Sequence, residues 1–225
     1  MILEEIVDIK RRRCRSTAEY LLNKFGMLSG LEFTDDKIGI PVLSAVDLPE
    51  LPSDTLAFSK ALYSTETGKL VHFYECDQAF ARILHQPRKY MELLKRFRYV
   101  SGPDFSQKIG MPEFVRFQNS WWNKALTAYW QSEGIPVIPN VSWSDPDSYE
   151  YAFKGLPKHS VIAINCVGVR SCHWSMYLWR KGYEEALRRL EPKLIIRYGD
   201  RMPGENEACS VYFENENYKR LRDGR

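Results

Sequence analysis

Five stretches of this chain repeat one design: a short apolar run, a polar tail at its end, then a segment with helical spacing. They are VHFYECD (71–77), YVSGPDFS (99–106), VIPNVSWSD (137–145), VIAINCVGVR (161–170) and LIIRYGD (194–200). PVLSAVD (41–47) reads as a sixth strand with no helix directly behind it. In MPEFVRFQNSWWNKALTAYWQSEG, Phe114, Phe117, Trp121, Trp122, Leu126, Tyr129 and Trp130 recur at helical spacing, and Gly134 marks the stop. HWSMYLWRKGYEEALRRLEP does the same through Met176, Trp179, Tyr183, Leu187 and Leu190, with Pro192 just beyond. Residues 77–97 are helical on both sides of Pro87, which must break them into pieces because proline has no N–H to donate.

Strands alternating with helices imply an α/β fold of parallel strands joined by right-handed crossovers. A sheet covered on both faces by helices has strands that are apolar on both sides. Here one parity is polar or small (His72 and Tyr74, Asn140 and Ser142, Ala163 and Asn165, Arg197). The other is largely apolar, through Phe73, Val141, Trp143, Ile162, Ile164 and Ile196. That pattern points to a polar interior and an apolar face against helices. The first expectation is therefore a reduced or irregular (β/α) barrel, TIM-like but short of eight strands. An open doubly wound sheet is the second. Residues 36–205 form this domain. Residues 1–35 form a basic, helical extension with Arg11, Arg12, Arg13 and Arg15, and residues 206–225 a solvated tail.

The 225 residues suffice to bury a core without disulfide staples. With 32 basic and 29 acidic residues the formal charge is +3, which excludes neither nucleic acid nor acidic ligands. Five scattered cysteines form no CxxC, so no disulfide framework or zinc ribbon is suggested. The opening MILEEIVDIKRRRCR carries acids and arginines where a leader would need an apolar stretch. No apolar run reaches membrane-spanning length. These features lead to the expectation of a cytoplasmic, reduced protein with no membrane partner.

In parallel α/β folds, ligands bind beyond the carboxyl ends of the strands. Carboxylates there hold Mg²⁺ through oxygen ligands, or act as general acid and base when their surroundings separate their pKa values. Asp104 follows Pro103 on a loop well before the next helix, where no cap requires it, and is the leading candidate for catalysis. Glu75 and Asp200 are its candidate assistants. Asp145 and Asp77 read more simply as helix caps. Tyr74, Ser106, Asn140, Ser142, Asn165, Arg170 and Arg197 are candidate ligand-binding groups; arginine there offers a rigid fork to an anion. Asn140 and Ser142 equally suit local backbone bonding, and Arg197 an ion pair. Cys166, Cys172 and His173 match no usual zinc spacing. No GxxxxGK[ST], dinucleotide GxGxxG, HExxH or GxSxG is present.

The segments RKYMELLKRFRYVSGPDFS, MPEFVRFQNSWWNKALTAYWQSEGIPVIPNVSWSD and FKGLPKHSVIAINCVGVR together resemble an uncharacterised family, the domain of unknown function numbered 4417, over residues from about 36 to about 200. The resemblance implies a cytoplasmic protein of bacterial, phage or other mobile-element origin, and brings no activity or catalytic residues with it. Two functional readings stand beside it. One is a hydrolase or nucleic-acid-processing enzyme using carboxylates, with Mg²⁺ as its candidate metal. The other is a non-catalytic protein that sequesters a nucleotide or other anionic ligand, or engages a protein or DNA partner.

Overall fold

The computed structural model describes residues 25–216, together with 218, 219 and 224. The arginine cluster at positions 11–15 lies outside the described residues. Within them are seven parallel strands: β1 (Thr55–Ala57), β2 (Leu70–His72), β3 (Tyr99–Ser101), β4 (Val137–Ile138), β5 (Val161–Asn165), β6 (Leu194–Tyr198) and β7 (Ser210–Phe213). Hydrogen bonding joins them in the orders β1-β2-β3-β4 and β5-β6-β7, every pair parallel. A parallel bridge between Asn140 and Ala163 links the two sets just past β4. There Val141 N donates to Ala163 O at 2.9 Å and Ala163 N to Pro139 O at 2.9 Å.

The helices are α1 (Phe58–Ala61), α2 (Asp77–Phe80), α3 (Arg82–His85), α4 (Pro87–Leu94), α5 (Glu113–Ser132), α6 (Tyr149–Ala152) and α7 (His173–Leu190). Pro87 opens α4 at a position where the missing N–H costs nothing. α5 ends before Gly134, whose φ of +87° suits glycine and turns the chain back toward β4. α7 ends at Glu191, which holds φ +47° and is followed by Pro192.

Successive strand residues point to opposite faces. Val71, Phe73, Val100 and Val137 pack against Phe80, Leu94, Leu126 and Trp130 on the helix side. Ile162, Ile164 and Ile195 do the same against Trp179, Tyr183, Ala186 and Leu190. Trp143 is packed under α7, as its parity suggests: a Cβ on Gly182 would stand 2.0 Å from its Nε1. The opposite strand faces form a separate cluster, with Leu70, Tyr99, Ile138, Val161, Ala163 and Ile196 drawn from β2 through β6.

Three sequence expectations change. Residues 41–47 form no strand; Pro41 makes only an isolated bridge with Phe33. β1 and β7 were not legible as strands, and β7 lies within the segment read as a tail. The faces of β6 are also the reverse of the expectation. Ile195 joins the helix-side core and Ile196 the opposite cluster, so Arg197 points toward the helices. Ile195 and Ile196 are equally apolar, so the alternation in LIIRY carried no signal of its phase.

Candidate functional site

Asp104 lies on the loop after β3, half-buried, where residues from several strand ends converge. Its Oδ1 accepts from Asn140 Nδ2 at 2.9 Å and its Oδ2 from Asn165 Nδ2 at 3.2 Å. The Ser142 hydroxyl also favours the carboxylate's anion. Asn140 is itself fixed on both sides: Nδ2 reaches Pro103 O at 3.2 Å, and Oδ1 accepts from the Tyr74 hydroxyl at 3.1 Å. Asn165 Oδ1 accepts from Val167 N at 2.8 Å, which orients its amide toward Asp104. Tyr74, Asn140, Asp104 and Asn165 thus form one chain of side-chain bonds across β2, β3, β4 and β5.

Burial pushes the Asp104 carboxyl above its ordinary range, against the three hydrogen bonds that favour its anion; the nearby Asp77 charge adds to the rise. Burial likewise lifts the Tyr74 hydroxyl well above its usual range, and the Asp104 charge reinforces this. Beneath Tyr74 lies an aromatic group. His72 stacks on Tyr74 with centroids 5.2 Å apart and lies tilted against Tyr198 at 4.3 Å. His72 is the interior histidine expected, with Nδ1 accepting from Tyr74 N at 3.1 Å.

The loop that carries Asp104 is gripped from α5. Asn123 Oδ1 accepts from Phe105 N at 2.9 Å and its Nδ2 reaches Phe105 O at 3.3 Å. Asn119 Nδ2 donates to Ser106 O at 2.7 Å. Gly102 permits the close approach: a Cβ there would stand 2.5 Å from Thr127 Oγ1 and 3.3 Å from Asn140 N. Replacing Gly102 by alanine is expected to displace Asn140 and cost about 1–3 kcal/mol by overpacking. Chemical denaturation would measure the cost. The amide resonances of Asn140 would shift with it if the displacement reaches Asp104.

Not every candidate joins this cluster. Glu75 accepts from Ser59 N at 3.0 Å and from the Ser59 hydroxyl, and so holds the start of α1. Asp200 sits half-buried after β6, its carbonyl accepting from Cys166 Sγ at 2.7 Å. Ser106 donates N–H and hydroxyl to Asp77, which therefore clamps this loop; the cap reading of Asp77 is replaced by that bond. Asp145 is the cap expected, accepting from Ser148 N, and also pairs with Arg116. Arg170 is exposed on the turn after β5. Arg197 is buried on the helix side, ion-paired with Glu205. Among the described residues no three His, Cys, Asp or Glu side chains come together as a metal site. Nor is any helix there long and apolar enough to cross a membrane.

Comparison with known proteins gives this arrangement its family. The model of the domain of unknown function DUF4417 matches residues 33–216. The chain belongs to the DUF4417 family. Two relatives are the Gene 1 proteins of Mycobacterium phages L5 and D29. The first is 33% identical over 165 residues, covering 69% of this chain and 72% of the relative. The second is 30% identical over 172 residues, covering 72% of this chain and 64% of the relative. No solved structure matches. The DUF4417 match includes β1 and β7 as well as the Asp104 loop. In this DUF4417 chain, sequence reading missed Asn119, Asn123 and Gln107. A signal for the first two was present: Asn119, Asn123 and Thr127 recur every fourth residue and so share one face of the helix.

Proposed function

We propose that the seven strands curl into one irregular (β/α) barrel, and that Asp104 at its mouth is the working carboxylate of a hydrolase or nucleic-acid-processing enzyme. Two features support the barrel. Strand order follows chain order without the reversal that a doubly wound sheet requires. In a flat seven-stranded sheet β2 and β6 would lie four spacings, roughly 19 Å, apart. Yet the His72 and Tyr198 rings, from those two strands, are 4.3 Å apart. Beyond β7, Glu216 Oε1 accepts from Ala57 N of β1, bringing the two outer strands' ends together.

The observation that carries the functional reading is the enclosure of Asp104 by Asn140, Asn165 and Ser142 at the strand ends. A carboxyl held in fixed orientation and shifted toward neutrality is suited to give or take a proton in a bound substrate. A helix cap or surface ion pair needs neither property. Hydrolysis or base chemistry on a nucleic-acid component fits this proton-transfer role, and Asn140 and Asn165 keep the carboxyl aimed.

The test incubates wild type and Asp104→Asn with nucleosides, nucleotides and short oligonucleotides, with and without Mg²⁺, and follows products by mass spectrometry. Loss of turnover by about 10²–10⁴-fold in a folded variant is expected for a lost acid–base group. Equal turnover by the variant would remove Asp104 from catalysis. Ligand-induced stabilisation without turnover in either protein would favour the binding alternative. A second readout uses pH. The raised carboxyl binds its proton more tightly in the folded state, so its contribution is fully present below the unfolded value of 3.8. It is lost as pH rises through the folded value. Wild type should therefore lose stability relative to Asp104→Asn as pH rises from about 4 toward neutrality. Parallel stability curves for the two proteins would contradict this.

A further inference from the structure

The site around Asp104 holds an acceptor with nothing to accept. Gln107 is only 8% exposed, and its Nε2 donates to Ser142 Oγ at 2.8 Å. Ser142 Oγ accepts that bond, and its hydroxyl favours the Asp104 anion. A hydroxyl turned toward the carboxylate leaves its lone pairs to Gln107 Nε2, in keeping with this orientation of the amide. Gln107 Oε1 is left buried without a hydrogen-bond partner. A buried acceptor in that state is costly, and such groups call for an explanation.

The charges around it narrow what would satisfy it. Asp104 and Asp77 feel each other as like charges. The arginine expected to bind an anion here, Arg197, is committed to Glu205 on the other face of β6. Arg170 is exposed on the turn after β5. An anionic ligand would meet acceptors and negative charge; a ligand rich in N–H groups would meet complementary partners.

From this we infer that the site recognises an uncharged or cationic group presenting at least two N–H donors, with Gln107 Oε1 and the Asp104 carboxylate as their acceptors and Gln107 as a specificity-determining residue. The chemistry is that of a guanidine, an amidine or the amino-lactam edge of a nucleobase. This inference rests on Asp104 being the working carboxylate, and it departs from the expectation of an anionic ligand. Reaching Oε1 requires the Gln107 side chain to rotate, while the backbone at Phe105 and Ser106 stays held by Asn123, Asn119 and Asp77.

The experiment is calorimetric and thermal-shift titration of the full chain with four probes: guanosine, inosine, methylguanidine and inorganic phosphate. Inosine keeps the ring N–H of guanosine but lacks its amino group, so it tests the need for paired donors. Wild type is expected to bind guanosine or methylguanidine, inosine at least 10-fold more weakly than guanosine, and phosphate not at all. Preference for guanosine identifies a nucleobase edge, and preference for methylguanidine a guanidinium side chain. Gln107→Leu should weaken the preferred probe at least 10-fold and bring the guanosine–inosine ratio toward one. Should Gln107→Leu fail to fold, Gln107→Met, which has nearly the same length and no acceptor oxygen, takes its place in the same titrations. Binding of phosphate in preference to both donor probes, or binding of neither, overturns the inference. Binding that Asp104→Asn abolishes but Gln107→Leu leaves unchanged overturns the role of Gln107 while sparing that of Asp104. Binding indifferent to Asp104→Asn overturns both.

Discussion

Glu205→Ala is expected to destabilise the protein by about 3–5 kcal/mol, because it strands a buried arginine without its counter-charge. Arg197 and Glu205 expose 1% and 2% of their side chains. The guanidinium also donates to Ile164 O at 2.7 Å and lies over the Trp179 ring, 4.7 Å from its centroid. Glu205 further accepts from Met202 N at 3.1 Å, so the pair ties β6 to the loop that follows it. Alanine removes the carboxylate and leaves the charge in place, with no route to water. Replacing both partners with apolar residues of similar volume, Arg197→Met with Glu205→Leu, should recover most of the loss, since neither then carries a desolvated charge. Urea unfolding of the three variants checks this. A loss below about 1 kcal/mol for Glu205→Ala would mean that water reaches Arg197 and that the pair behaves like a surface one.

The same residue shows where sequence reasoning stops. Arg197 in a strand among isoleucines was legible as unusual, but its meaning depended on which face it occupied. The doublet Ile195–Ile196 erased the phase of the alternation, and only a partner eight residues away in the chain resolved it. Longer elements were legible because their signal repeats. α5 and α7 carry four or more turns of spaced apolar residues between clear end signals at Gly134 and Pro192. Length does not separate β1 and β7 from the strands that were read, since β2 and β3 have three residues and β4 two. β1 lacks the polar tail that marked the others and runs directly into α1.

The meeting of Asn140 and Asn165 at Asp104 was foreshadowed for a physical reason: polar side chains end strands whose beginnings are apolar. The rest of the site's membership was not. Glu75, Asp200 and Asp104 look alike as acids at strand ends, and only their partners separate a helix clamp from a carboxyl held by two amides. Gln107 carried no signal at all, because an orphaned oxygen is a property of three-dimensional neighbours.

Lys124→Met should stabilise the protein at neutral pH, an unusual outcome for removing a residue that makes two hydrogen bonds. Lys124 is 5% exposed on α5, with Nζ donating to Ser120 Oγ at 2.9 Å and Tyr151 O at 3.0 Å. Burial draws its pKa down from 10.5 to about 7. A depressed amine contributes stability that is present above the unfolded value and lost as pH falls through the folded one. The loss therefore accumulates between pH 10.5 and about 7 and is complete just below. At about 1.4 kcal/mol for each pH unit, that window amounts to roughly 5 kcal/mol. Methionine fills a similar volume without a charge to desolvate, but it leaves the Tyr151 carbonyl unpaired at about 1–3 kcal/mol. The expected net gain at pH 7 is roughly 2–4 kcal/mol, shrinking and then reversing toward pH 10 as wild type recovers. Urea unfolding at intervals from pH 6 to 10 measures it, and curves that stay parallel across that range would mean the amine keeps its proton in the fold. Lys124 adjoins Asn123, whose side chain holds Phe105 beside Asp104. The substitution thus also asks whether the helix that grips the site can be made more stable without moving it: unchanged Asn123 and Asp104 resonances in the stabilised variant would show that the amine serves neither.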